Sequence, residues 1–73
     1  MTKHNIIRDV AMTYDYSSRR IYGRAPLGRD ATQDERQRIA EKAIAEFDAS
    51  DELDVNTRMK DALLKAEKAV LYP

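Results

Sequence analysis

Two segments in the C-terminal half of the chain have apolar residues that return every three or four positions. The first spans about residues 33–48. Its apolar residues are Ile39, Ala40, Ala43, Ile44 and Phe47. The second spans about residues 55–71, and its apolar residues are Val55, Met59, Ala62, Leu63, Ala66 and Val70. This spacing is typical of amphipathic helices. Because the connection between them is short, the two helices are expected to form an antiparallel helical hairpin over residues 32–73.

Polar residues at the start of each segment predict where the helices begin. Thr32 and Glu35 have the spacing of a capping box, in which the hydroxyl and the carboxylate each accept a hydrogen bond from a backbone N–H group at the helix start. Asp54 or Asn56 can cap the second helix in a similar way. The stretch 48–51 is expected to end the first helix, because the short polar side chains of Asp48, Ser50 and Asp51 compete for backbone hydrogen bonds.

The N-terminal third permits two readings. Its apolar residues fit one helical face that starts near residue 5: Ile6, Ile7, Val10, Ala11 and Tyr14. That helix could continue through Tyr22, with Gly23 as its C-terminal cap. Alternatively, residues 13–22 could form a small β-hairpin. The stretch from Gly23 to Gly28 is predicted to be a loop. Ile6, Val10 and Tyr14 are expected to pack against the apolar stripe of the hairpin.

The length favours a single small domain of mainly α structure covering residues 1–73. The chain has 73 residues, which is below the ~100–150 residues of a typical domain. Residues 1–31 would form a basic, Tyr/Arg-rich segment with a loop, and residues 32–73 the helical hairpin. A chain of this size buries only ~60% of its unfolded surface. Such chains are often completed by a partner or a second copy.

Composition excludes several classes of site. The chain has no Cys and one His, which excludes thiolate metal sites, disulfides and sites built from two histidines. No apolar run reaches the ~20 residues needed to span a bilayer. The first residues also lack the apolar core of a signal peptide, which favours a cytoplasmic location and no contact with a membrane.

The residues that could carry chemistry do not form a recognisable catalytic or metal-binding motif. Gly23 and Gly28 are the only glycines, and no Lys-Ser/Thr pair follows them as in a phosphate-binding loop. His4 is expected to be a solvated side chain near the terminus. Asp48, Ser50, Glu52 and Asp54 alternate as oxygen donors as in a calcium loop, but the pattern lacks the glycine and the closing glutamate of such a loop. We therefore expect a protein that is not an enzyme and binds no cofactor or metal.

Charge is unevenly distributed although the net charge is zero. Residues 1–30 contain six basic and three acidic residues, whereas residues 31–73 contain seven basic and ten acidic residues. Tyrosines and arginines are interleaved in the basic part, and both types are frequent at binding hot spots. The candidate protein-binding residues are Tyr14, Tyr16, Arg19, Arg20, Tyr22 and Arg24. The same residues could bind single-stranded nucleic acid, or the tyrosines could belong to the core with solvated arginines around them.

The chain also resembles a known kind of protein. The features that carry the resemblance are its length, the absence of Cys, the helical C-terminal half and the segment Tyr14-Asp15-Tyr16-Ser17-Ser18-Arg19-Arg20-Ile21-Tyr22-Gly23-Arg24. In these respects it resembles small lytic-phage proteins that bind host RNA polymerase. The resemblance implies a non-enzymatic regulator in the host cytoplasm that blocks promoter recognition and suppresses termination. It implies that the partner is a host protein, with nucleic acid secondary. Independently of the resemblance, we expect a monomer or weak homo-oligomer, and a structural homo-oligomeric helical protein is a further alternative function.

Overall fold

The computed structural model describes residues 2–17 and 27–73, which form a small all-α domain. Within these ranges the helices are α1 (Lys3–Thr13), α2 (Gln33–Ala49) and α3 (Val55–Leu71). Helices α2 and α3 pack closely, and α1 lies mainly on α2 and touches α3 only lightly. The predicted mainly α fold, with a C-terminal helical hairpin and an N-terminal helix, is confirmed.

Helix α2 begins at the predicted capping box. The Glu35 backbone N–H donates to Thr32 Oγ1 at 3.1 Å, and the Thr32 backbone N–H donates to Glu35 Oε1 at 2.8 Å. Two backbone donors that the helix start leaves without intrahelical partners are thereby satisfied. The helix ends at Ala49, one residue beyond the predicted end, and Ser50 is its C-terminal cap.

Helix α3 has the bounds predicted from its periodicity. Asp54, rather than Asn56, is the cap: Asp54 Oδ1 accepts hydrogen bonds from the backbone N–H groups of Asn56 at 3.0 Å and Thr57 at 3.4 Å. Within the acidic connection, the Glu52 side chain accepts from the Asp54 backbone N–H at 3.1 Å. The connection is therefore held by hydrogen bonds that its own side chains accept. Its one large apolar residue, Leu53, is 94% exposed.

Helix α1 is shorter than predicted at its C-terminal end. It starts at Lys3 with Thr2 as its cap and ends at Thr13, so the predicted continuation is wrong for residues 14–17. The Asp15 carboxylate accepts hydrogen bonds from the backbone N–H and the hydroxyl of Ser17. This local turn competes with the helical hydrogen bonds. The rest of the alternative hairpin, and the loop up to residue 26, lie outside the described residues.

The core is a single cluster dominated by small side chains. Its buried apolar residues are Ile7, Ala11, Tyr16, Ala31, Ile39, Ala40, Ala43, Phe47, Ala62, Ala66 and Leu71. The expectation that Ile6, Val10 and Tyr14 pack against the apolar stripe of the hairpin is confirmed for Tyr14, which packs against the buried cluster, but Ile6 and Val10 do not pack against it. Ile7 and Ala11 point into the core, while those three residues are only partly buried. The 3.6-residue helical period permits either Ile6 and Val10 or Ile7 and Ala11 to face the core. In this structure Ile7 and Ala11 face the core, and the chain turns after Thr13.

Candidate functional site

The two tyrosines predicted as contact residues have different environments. Tyr14 is partly buried at the end of α1, whereas Tyr16 is completely buried. The Tyr16 hydroxyl donates to the Ala11 backbone oxygen at 3.3 Å, and the two tyrosine rings lie 5.0 Å apart. Burial, and secondarily the charge of Glu67, raise the pKa of Tyr16 above its ordinary value. Tyr16 is thus a core residue that supports Tyr14.

The remaining four predicted contact residues lie in a segment whose two ends meet. Arg19, Arg20, Tyr22 and Arg24 are outside the described residues. On either side of them, the Gly28 backbone N–H donates to the Ser17 backbone oxygen at 3.1 Å. Gly28 has a φ of +78°, a conformation that favours glycine over residues with a side chain. We call the residues between Ser17 and Gly28 the Arg-rich segment. The bond holds the two residues that flank this segment side by side, next to the turn that follows α1.

Arg29, the last arginine of the basic stretch, pairs with the start of α2. Its guanidinium donates to both carboxylate oxygens of Glu35, at 2.8 and 2.9 Å. These bonds, together with the Thr32 backbone N–H, lower the pKa of Glu35 to about 2. The same pairing raises the pKa of Arg29. The sequence pattern identified Glu35 as a capping residue but did not reveal that it also binds an arginine.

Arg36 fastens α2 to the end of α1. Its guanidinium donates to the backbone oxygens of Ala11 at 3.2 Å and Tyr14 at 3.0 Å. It also lies 5.1 Å from the centre of the Tyr16 ring. Sequence reasoning missed this role, because a single arginine one turn into an amphipathic helix has no distinguishing pattern. Arg36 fixes the position from which the Arg-rich segment departs.

A groove lies between α1 and α3, with a volume of about 390 Å³. We call it the α1–α3 groove. Its walls are mostly apolar side chains that are partly exposed, and its described lining consists of Ile6, Ile7, Val10, Tyr14, Met59, Lys60, Leu63, Leu64 and Glu67. Apolar side chains that form a continuous exposed strip are typical of binding surfaces.

Glu67 lies in this groove and is only 4% exposed. Among the described residues, none forms a hydrogen bond or ion pair with its carboxyl group. Burial raises the pKa of Glu67 to about 7, because removing a carboxylate from water disfavours the charged form. The sequence does contain a signal for this residue: Glu67 falls one turn after Leu63 and Leu64, on the apolar side of its helix.

A second cluster joins the start of α1 to the end of α2. His4 Nε2 lies 2.7 Å from Asp48 Oδ1, and the His4 ring meets the Phe47 ring edge to face. Arg58 donates to the Phe47 backbone oxygen at 2.7 Å, and its guanidinium lies over the Phe47 ring, 4.3 Å from the ring centre. The His4 side chain is 44% exposed, in keeping with the expected solvation, and it also contacts residues that are distant in the sequence.

Comparison with known proteins gave no relative: no family model, curated protein or solved structure matches this chain. In the described ranges, no group of three or more His, Asp or Glu side chains is placed to hold a metal ion. In the same ranges, no helix has the length and apolar character needed to cross a membrane.

Proposed function

We propose that this protein is a non-enzymatic regulator that binds host RNA polymerase and thereby blocks promoter recognition and suppresses termination. The polymerase and these two effects come from the resemblance of the chain to small lytic-phage proteins. The observation that carries the binding role is the hydrogen bond between Ser17 and Gly28. It brings the two described residues that flank the Arg-rich segment side by side, and connecting segments of this kind are frequent carriers of binding residues.

Within this proposal, the arginines of the segment supply charge and the tyrosines supply contact area. Arg19, Arg20 and Arg24 pair with acidic groups of the polymerase, since guanidinium groups form bidentate bonds with carboxylates. Tyr14 and Tyr22 provide flat anchoring surfaces. Tyr16 acts indirectly, because its buried ring supports the Tyr14 ring from within the domain. The binding mechanism is occupation of a polymerase surface.

The other arginines near the segment support this division of roles. Arg29 binds Glu35, and Arg36 binds the backbone at the end of α1. Both guanidinium groups are therefore used in holding the domain together. The arginines between Ser17 and Gly28 would then provide the charge for contacts with a partner. Charged pairs at the rim of an interface mainly affect the association rate, so binding should weaken with added salt.

Single-stranded nucleic acid is the alternative ligand for the same residues. Alternating rings and guanidinium groups suit a stacked strand. However, the chain has zero net charge, which limits the general electrostatic affinity that nucleic-acid-binding proteins gain from counterion release. A protein partner is therefore the better-supported proposal.

The test is capture of purified host RNA polymerase by the immobilised protein, with and without nuclease. We expect nuclease-resistant capture that is lost in Arg19→Glu/Arg20→Glu. The matched control is Lys3→Glu/Lys65→Glu, which makes the same charge change at two exposed residues and should leave capture intact. Capture that disappears with nuclease would favour the nucleic-acid alternative. Equal capture by both folded variants would contradict the assignment of the site.

A further inference from the structure

The α1–α3 groove is a surface that lacks a cover among the described residues. α1 touches α3 only lightly, and the side chains between the two helices stay partly exposed. Leu63, Leu64 and Met59 form the α3 wall, while Ile6 and Val10 form the wall contributed by α1. A groove between two helices accepts a third helix through its apolar face.

The residues on the groove side of α3 are arranged so that they match a second, antiparallel copy of themselves. Lys60, Leu63, Leu64 and Glu67 follow one another at intervals of three, one and three residues, which places them on one helical face. In an antiparallel pair centred between Leu63 and Leu64, Lys60 and Glu67 are equally far from the centre. Each lysine therefore lies opposite the glutamate of the other copy, with leucines between them.

Both members of this pair are without an ionic partner in one copy of the described structure. Lys60 is exposed and forms no ion pair with the described residues, and Glu67 is buried without a hydrogen-bond donor among them. Within one copy they are two helical turns apart, or ~10 Å along the axis. The cost of removing Glu67 from water is already present in the single copy. A lysine arriving from outside would therefore gain an ion pair without burying that carboxyl group anew.

We propose that two copies of this chain pair through the α1–α3 groove, with α3 antiparallel to its counterpart and Lys60 of each copy bound to Glu67 of the other. This isologous arrangement has closed two-fold symmetry, so it produces a dimer and not a filament. It goes beyond the proposed function and uses neither Arg19, Arg20 nor Arg24.

The dimensions and charge of the domain agree with this pairing. Helix α3 has 17 residues and is therefore ~25 Å long. The domain measures 34 × 23 × 18 Å, so a contact along α3 would extend over a full side of it. The net charge is zero, which leaves no overall repulsion between copies.

Pairing should also depend on pH. Tyr14 and Lys60 line the groove together with Glu67, and Tyr16, whose ring is in contact with Arg36, is close enough to Glu67 to feel its charge. In one copy the pKa of Glu67 is about 7, and an opposing lysine would lower it. Formation of the dimer therefore releases protons near neutral pH. The dimer should be tighter at pH 8 than at pH 5.5.

Sedimentation equilibrium with charge variants tests the pairing. We expect a concentration-dependent dimer whose dissociation constant rises at least about tenfold in Lys60→Glu, since both ion pairs are lost and like charges face each other. Lys65→Glu is the matched control, because Lys65 is an exposed lysine of the same helix outside the groove. It should dimerise as the unchanged protein does. The exchange Lys60→Glu/Glu67→Lys should restore dimerisation.

Single-cysteine variants give a test that does not depend on removing a charge. The chain has no cysteine, so any disulfide must join two introduced residues. Leu63→Cys lies next to the two-fold axis, whereas Ala45→Cys lies on an exposed part of α2. We expect Leu63→Cys to form covalent dimers in a glutathione buffer at least about ten times faster, because the pairing raises its effective concentration.

Three results would overturn the proposal. The first is a protein that stays monomeric at about 1 mM, because the free energy of dimerisation would then be smaller than ~4 kcal/mol. The second is a dimer that Lys60→Glu and Lys65→Glu affect equally. The third is equal cross-linking of the two cysteine variants. Far-UV circular dichroism of every variant shows that the fold is retained, and a Glu67→Lys variant that does not fold leaves the Lys60 and cysteine comparisons decisive.

Discussion

The contact between α2 and α3 and the contact between α1 and α3 differ in how closely the helices pack. Helices α2 and α3 pack closely, and their buried residues include Ala43 on α2 and Ala62 and Ala66 on α3. Small residues at a helix contact allow the helix axes to approach each other. The α1–α3 interface has leucines, isoleucine and valine, yet they leave a groove of about 390 Å³. The two contacts therefore differ in how completely apolar side chains fill the space between the helices.

The same contrast appears in two glutamates. Glu35, at the start of α2, binds Arg29 and the Thr32 backbone, and its pKa falls to about 2. Glu67, in the α1–α3 groove, has no such donors among the described residues, and its pKa rises to about 7. Fold stability therefore responds to pH in opposite directions at these two carboxyl groups.

The largest expected effect is at Phe47, in the closely packed part of the domain. Phe47→Ala should lower the free energy of unfolding by roughly 3–5 kcal/mol, since the ring is buried and a cavity would replace it. Chemical denaturation followed by circular dichroism measures this loss. Leu53→Ala is the control, because Leu53 is 94% exposed and its truncation should change stability by less than ~0.5 kcal/mol. Similar losses for both variants would contradict the described core.

The next effect concerns Glu67 and the pH dependence of stability. Its folded-state pKa is about 7, above the ordinary 4.5, so its protonated form stabilises the fold. That contribution is complete below pH 4.5 and is lost as the pH rises through 7. In dilute solution the unfolding free energy should fall by about 3 kcal/mol over this window.

Glu67→Gln isolates this contribution, because glutamine has a similar shape and does not ionise. We expect the variant to lack the decline between pH 4.5 and 7, and to be more stable than the unchanged protein at pH 8. The difference between the two denaturation curves, measured at each pH, removes the effects of all other groups. Parallel curves would show that Glu67 is solvated and would contradict the geometry of the groove.

A smaller effect is expected at the start of α2. Thr32→Ala removes the hydroxyl that accepts from the Glu35 backbone N–H, and it should cost about 0.5–2 kcal/mol. Thermal and chemical denaturation measure the loss. Thr32→Ser keeps an acceptor at the same position and should retain most of the stability. If serine and alanine are equally destabilising, the hydroxyl is not the stabilising group.

The smallest effect is expected for the pair of His4 and Asp48, whose side chains are both substantially exposed. A double-mutant cycle with His4→Ala and Asp48→Ala should give a coupling energy below ~1 kcal/mol, as exposed ion pairs usually do. A coupling of several kcal/mol would mean that this contact is as important to the fold as the Phe47 ring beneath it.

Periodicity and capping residues were sufficient to predict the hairpin. Apolar spacing predicted both helices to within a residue, and Thr32 with Glu35 predicted the start of α2, because these signals depend on residues close in sequence. Within the apolar face of α1, the choice of Ile6 and Val10 as packing residues instead of Ile7 and Ala11 was wrong, because all four residues are apolar. Only the tertiary position of the helix decides which of them points inward.

The candidate site was less predictable for the same reason. The Tyr/Arg pattern identified Tyr14 and Tyr16 but could not show that Tyr16 is buried against the Ala11 backbone. The bonds from Arg36 to the end of α1 join residues far apart in the sequence, and no local pattern predicts them. The four remaining candidates, between Ser17 and Gly28, stay predictions that the capture experiment tests.

The most direct test of the contrast between the two helix interfaces is a titration of Glu67 itself. Carbon-detected NMR of the side-chain carboxyl groups gives a separate midpoint for Glu67 and Glu35, measured at concentrations where sedimentation shows a single copy. The described structure predicts midpoints of about 7 for Glu67 and about 2 for Glu35. A midpoint near the ordinary 4.5 for Glu67 would contradict the account, because its carboxyl group would then be in water and not buried in the α1–α3 groove.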